Sequence, residues 1–128
     1  MNKPPRTLGI YLCNRIAVDP TIGEMSLVGV FQGLTFDTFP SPIQRFTIYA
    51  MLYDGVGEGV IEVRILQLDT ERDVYRYRRW TAFADRGMQV PFEVQVKNCR
   101  FPAPGRYSVQ VRFDGELVDT RFLEVFAA

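Results

Sequence analysis

The side-chain types that serve most enzymes are sparse in this chain, and the one conspicuous cluster of reactive groups is basic and aromatic. Arg76, Tyr77, Arg78, Arg79 and Trp80 follow one another without interruption. On an extended strand, successive side chains point to opposite faces, so Arg76 and Arg78 share one face while Tyr77 and Arg79 share the other. Planar guanidinium forks beside aromatic rings suit bidentate capture of carboxylate or phosphate, and stacking on bases. The same run would serve as an edge strand kept soluble by inserted charge. Three readings stand side by side: a guarded edge, a surface for a protein or other carboxylate-bearing partner, and a surface for single-stranded nucleic acid.

Catalysis has little to draw on. The chain has no histidine, which removes the ordinary general base near neutral pH, the Ser-His and Cys-His pairs and the commonest zinc ligand. Ser26, Ser41 and Ser108 lack the flanking glycines of a nucleophile elbow. Gly55-Val56-Gly57-Glu58-Gly59 superficially resembles a phosphate loop, but no Lys-Ser/Thr and no helix follow, so Asp54 to Gly59 reads as a loose hairpin connection. Asp54 with Glu58 is the nearest thing to a catalytic carboxylate pair. Asp69, Glu71 and Asp73 could hold a calcium ion at a loop tip, although Arg72 sits among them and no glutamate stands at the required spacing. The expectation is a protein that is not an enzyme, with no metal and no cofactor.

The elements that position the arginine run are strands. The chain has 128 residues, and 47% of them are hydrophobic. That is enough to bury a core without metal or disulfide. Ten Phe and six Tyr bias it toward β structure. Gly, Pro and Asx pairs divide it into about eight short extended segments.

Leu8 to Ile16 and Met25 to Phe36 come first, with Gly29 and Gly33 marking bends. Phe39-Pro40-Ser41-Pro42 then carries the chain between sheets. Val60 to Asp69 switches its apolar face midway, which predicts a bulge. Val74 to Trp80 is a short strand, and Thr81 to Asp85 admits one helical turn. The cleanest alternation places Val90, Phe92, Val94 and Val96 inward. Tyr107, Val109, Val111 and Phe113 repeat it. Asp114-Gly115 predicts a type I′ hairpin into Leu117 to Phe126. Pro104-Gly105-Arg106-Tyr107 is placed like the corner tyrosine of sandwich domains, with its hydroxyl on nearby backbone. The fold class expected is all-β, an antiparallel two-sheet sandwich of immunoglobulin-like kind, as one domain over residues 1–128.

Arg45 to Tyr53 is apolar on both faces. Phe46, Ile48, Ala50 and Leu52 line one side, with Tyr49, Met51 and Tyr53 on the other. One face of a sandwich strand normally meets water, so the second row predicts a covered surface. The cover is either another part of the chain or a partner protein. Lys plus Arg and Asp plus Glu stand at 15 each, a balance that favours self-association and disfavours a nucleic-acid partner. The candidate interaction surface is therefore Tyr49, Met51, Tyr53, Arg76, Arg78, Arg79 and Trp80. It would act through protein–protein contact, including contact with a second copy as a homodimer. The alternative is a module for carbohydrate, small anion or single-stranded nucleic acid that uses the Arg76–Trp80 strand.

No secretory signal and no apolar run of transmembrane length is legible, so the expected setting is cytoplasmic, without membrane contact. Cys13 and Cys99 are expected there as reduced, partly buried thiols, with a bridge between them as the alternative.

Two stretches carry a resemblance. Leu12-Cys13-Asn14, then Gly23-Glu24-Met25-Ser26-Leu27-Val28-Gly29-Val30-Phe31 and Phe39-Pro40, resemble a family of small bacterial proteins of unknown function. Pro104-Gly105-Arg106-Tyr107 and Phe113-Asp114-Gly115-Glu116-Leu117 fit the same pattern. Asn14-Arg15 stands where that family carries acidic residues. The resemblance implies a bacterial β-sandwich and brings no activity with it.

Overall fold

The computed structural model describes residues 2–85 and 87–128, so that Met1 and Arg86 lie outside the described residues. These residues are all-β, without a helix, and none of the structure is a helix long and apolar enough to cross a membrane. The strands are β1 (Arg6–Cys13), β2 (Arg15–Val18), β3 (Met25–Val28), β4 (Gly33–Phe36) and β5 (Gln44–Tyr53). They continue with β6 (Gly57–Gln67), β7 (Arg72–Phe83), β8 (Val90–Cys99), β9 (Gly105–Phe113) and β10 (Glu116–Ala127).

Three sheets result. One is three-stranded in the order β1-β5-β8, one is five-stranded in the order β4-β10-β9-β6-β7, and β2 and β3 form a separate hairpin. One of the sheets curls into a half-barrel. Pairing is antiparallel except between β4 and β10, which run parallel. Ile48, Ala50, Phe92 and Val94 from the three-stranded sheet join Ile61, Val63, Val109, Val111 and Leu123 from the five-stranded sheet in one hydrophobic cluster. The period-two rows of β8 and β9 are buried as their alternation requires, with Val94 and Val109 both in the core.

Turn chemistry follows the sequence at the C-terminus. Asp114 and Gly115 both take positive φ, 48° and 83°, as a type I′ turn demands. The Tyr107 hydroxyl donates to the Ala103 carbonyl at 2.6 Å, fixing the corner before β9.

Elsewhere the strands depart from expectation. Leu8–Ile16 is two strands broken at Asn14, and Met25–Phe36 is two strands broken after Val28. The cause is local. Gly29 sits at φ 70° and packs so closely on Asn14 that a Cβ there would lie 2.3 Å from its amide nitrogen. Beyond Gly29 the chain bridges Phe31 to Leu12 and only then enters β4. Residues 14–30 thus leave the body as a two-stranded arm.

No helical turn forms over Thr81–Asp85. Thr81 to Phe83 extend β7, pairing with Gly59 to Gly57, and the Phe83 ring packs edge-on against Phe113 at 6.1 Å. Nor does β6 switch faces. Gly59, Ile61, Val63, Ile65 and Gln67 all stay buried, and the irregularity falls on β7, where Val74 is the extra residue between Asp73 and Tyr75. The Asp54–Gly59 segment is not a hairpin, since β5 and β6 belong to different sheets.

Candidate functional site

The outer face of the five-stranded sheet collects polar side chains in rows set by strand register. Trp80 of β7 lies opposite Val60 of β6. The next row runs Arg78, Glu62, Arg112 and Leu117 across β7, β6, β9 and β10. The row after that runs Arg76, Arg64, Gln110 and Thr120. Directly opposed residues on paired strands share a face, so four arginines from three strands stand on one face with Glu62, and three of them approach it.

Glu62 is the centre of this arrangement. Its side chain is only 9% exposed. Arg76 Nε donates to Glu62 Oε2 at 2.9 Å and Arg78 Nε donates to the same oxygen at 2.6 Å. Arg64 approaches the other oxygen at 3.8 Å, while its main partner is Asp73, which it grips through Nε and one terminal nitrogen at 2.9–3.1 Å. Arg112 donates to the Gln110 side chain and to the Gly115 carbonyl, each at 3.0 Å. Burial alone would raise the Glu62 carboxyl. The hydrogen bonds from Arg78 and Arg76, and then their charges, outweigh it and hold the group below the usual carboxylate range.

These residues line a basin of about 480 Å³ that Val60, Asp114 and Gly115 complete. A second hollow of about 320 Å³ adjoins it through Arg64 and Arg112 and extends toward Leu66 and Leu68. Four guanidinia stand against Glu62 and Asp114 in the basin and Asp73 beside it, a surplus of one positive charge. The donors matter more than this net charge. Arg76 and Arg78 hold Glu62 through Nε alone, and among the described residues their terminal NH2 groups have no protein acceptor. Trp80 stands at the rim, 62% exposed. Arginine forks over a partly desolvated floor, with an indole at the edge, are groups that bind carboxylate or phosphate.

Of the residues singled out from sequence, Arg76, Arg78 and Trp80 come together here. Arg79 points the other way, its guanidinium 4.3 Å from the centre of the Phe92 ring, between β7 and β8. Tyr49, Met51 and Tyr53 lie on the other sheet, in its outer row. Tyr49 stands between Tyr11 and Glu93 and is only 6% exposed, so it is no open surface. Arg64, Arg112 and Glu62 escaped sequence reading. Their only signal was an outward position on an alternating strand, and which strands adjoin is not written in that alternation.

The other candidates make contacts of their own. Asp54 pairs with Lys3 at 2.7 Å, and Asn2 bonds the Glu58 backbone, so the N-terminal residues hold this turn. Among the described residues no three His, Cys, Asp or Glu side chains are grouped to hold a metal ion, and Asp73 is turned to Arg64. Cys13 and Cys99 are buried and free. Burial pushes the Cys99 thiol up to about 12.

Fold and site together define a small all-β domain with an arginine-lined outer face. The chain belongs to DUF6941, a family of unknown function, whose pattern it matches over residues 8–126. No curated protein matches it. Among solved structures it is similar to the alkylpurine DNA glycosylase AlkC of Pseudomonas fluorescens, bound to DNA containing an abasic site analogue. There the identity is 13% and the TM-score 0.51, over 92% of this chain and 30% of that one. It is also similar to a β-glucosidase from Listeria innocua in complex with glucose, at 15% identity and TM-score 0.50, over 92% of this chain and 16% of that one. The chain thus spans less than a third of either protein. At such identities the likeness concerns the fold alone.

Proposed function

We propose that this protein is a non-catalytic binding domain of immunoglobulin-like sandwich architecture. On this reading it recognises a carboxylate-bearing segment of a partner protein on the arginine face of its five-stranded sheet. The observation that carries the reading is the shared clamp on Glu62. The buried carboxylate orients Arg76 and Arg78, and their terminal NH2 groups, without a protein acceptor among the described residues, are held ready for a second acceptor. Fixing the forks in advance lowers the ordering cost of binding. Trp80 and Leu117, exposed on either side of the basin, supply the apolar rim that protein contacts use. The architecture is supported by the order β1-β5-β8 against β4-β10-β9-β6-β7, by the parallel β4–β10 pair and by the Tyr107 corner. Two buried free thiols fit a reducing, cytoplasmic setting.

The test is titration with a labelled poly-glutamate peptide at low ionic strength. Binding should weaken steadily with salt. Arg112→Ala, which leaves the clamp on Glu62 intact, and Arg78→Ala should each weaken it about tenfold, the loss expected for one charge-assisted contact. No binding by the wild-type protein ends the reading. Retention of an oligonucleotide in preference to the acidic peptide replaces the protein partner with nucleic acid.

A further inference from the structure

The β2–β3 arm is a second unexplained feature, and its chemistry complements the basin. Ile16 lies opposite Leu27, and Val18 opposite Met25, so one face of this hairpin is wholly apolar. Val18, Ile22 and Met25 are nevertheless exposed, Ile22 at 66%. A lone two-stranded hairpin is at best marginally stable in water, and an open apolar face makes it a surface that should be covered. The tip is acidic. Asp19 and Glu24 are both exposed and are brought together by the Asp19 N–H bond to the Glu24 carbonyl at 2.8 Å. The Asp19 carboxylate also accepts from the Thr21 backbone at 2.9 Å, which gives the tip a fixed shape.

We infer that the carboxylate-bearing segment recognised by the basin is the β2–β3 arm of a second copy of this chain. This rests on the reading above and names its partner. The arm leaves the body between β1 and β4, where Phe31 bridges Leu12. β4 is one edge of the five-stranded sheet, and β10 separates it from the strands that carry the basin arginines. The arm therefore joins the molecule by the sheet edge away from β7, and the basin it meets is that of another copy. There Asp19 and Glu24 face the free ends of Arg76 and Arg78, and Ile22 and Met25 rest on Trp80 and Leu117. Acid meets base and apolar meets apolar, which is how a chain of zero net charge can attract itself specifically. Two copies that each lend an arm to the other close as a twofold dimer.

Sedimentation at rising micromolar concentration should show a monomer–dimer equilibrium that salt weakens and excess poly-glutamate peptide dissociates. Asp19→Asn with Glu24→Gln keeps the turn geometry and removes the charge, and should weaken the dimer at least tenfold. Ile22→Ser with Met25→Ser should do the same, and neither pair touches the core. Both arm variants should bind poly-glutamate at least as tightly as the wild type, because less arm competes for the basin. A wild-type protein that binds the peptide yet stays monomeric overturns the arm while leaving the basin reading intact. Dimers that the arm variants do not weaken overturn it as well. A protein that does neither loses both.

Discussion

Two polar groups buried on the outer faces of the two larger sheets, Glu62 and the Tyr49 hydroxyl, are opposite cases. On the five-stranded sheet, Glu62 accepts from two guanidinia and has a third nearby. On the three-stranded sheet, the Tyr49 hydroxyl is buried with no hydrogen-bond partner among the described residues. Burial raises the Tyr49 phenol, and the neighbouring Glu93 charge adds to it. The first face has organised its polar atoms at a cost in desolvation and offers unused donors outward. The second leaves the Tyr49 hydroxyl without an orienting partner among the described residues, beside the exposed Glu93 and Gln95 of β8. A buried polar atom thus organises the surface above it only when its neighbours are oriented by it.

Removing the donors from Glu62 should have the largest effect. Arg76→Ala with Arg78→Ala leaves the carboxylate buried, with only the more distant Arg64. The cost expected is about 2 kcal/mol, less than for a fully buried pair, because the two guanidinia are 47% and 57% exposed and partly screened. Urea unfolding of the variant measures it, and an unchanged midpoint would mean that Glu62 finds solvent. The same clamp predicts the sign of an acid effect. The folded Glu62 carboxyl titrates below its unfolded value. Its contribution is therefore full above the unfolded pKa and is lost as pH falls through the folded one. Glu62→Gln should flatten that part of the stability–pH curve.

An intermediate case sharpens the contrast. Tyr107 is buried like Tyr49, but its hydroxyl holds the Ala103 carbonyl at 2.6 Å. Tyr107→Phe orphans that carbonyl and should cost about 1 kcal/mol. A loss near zero would mean that water replaces the bond and that the corner is not held by it.

What could be read in advance divides along the same line. The inward rows of β8 and β9 and the Asp114-Gly115 turn were legible because each depends on neighbours in sequence. So was the shared face of Arg76 and Arg78. Glu62 was not, because a glutamate between Ile61 and Val63 reads as an outward, solvated position. It is buried only because β7 and β9 flank β6 in a register that stacks arginines over it. The arm was hidden for a similar reason. Gly29 and Gly33 announced bends, but the break between β3 and β4 is fixed by the Leu12–Phe31 bridge and the Asn14 contact, both long-range. In β5 the two-faced apolar pattern was plain, while the closure of its outer row over Tyr49 depends on β1 and β8 on either side.

The smallest effect, and the most discriminating, belongs to Tyr49. An unpartnered buried hydroxyl costs free energy that a phenyl ring of the same shape does not. Tyr49→Phe should therefore leave the protein as stable as before, or stabilise it by up to about 1 kcal/mol. The sign opposes that of Tyr107→Phe, although both remove one oxygen from one buried ring. Thermal unfolding of the two variants side by side reads the difference directly. Destabilisation by Tyr49→Phe would mean that the hydroxyl has a partner in solution, a bound water or a second molecule. The outer face of the three-stranded sheet would then rank beside the arginine basin as a proposed site of contact.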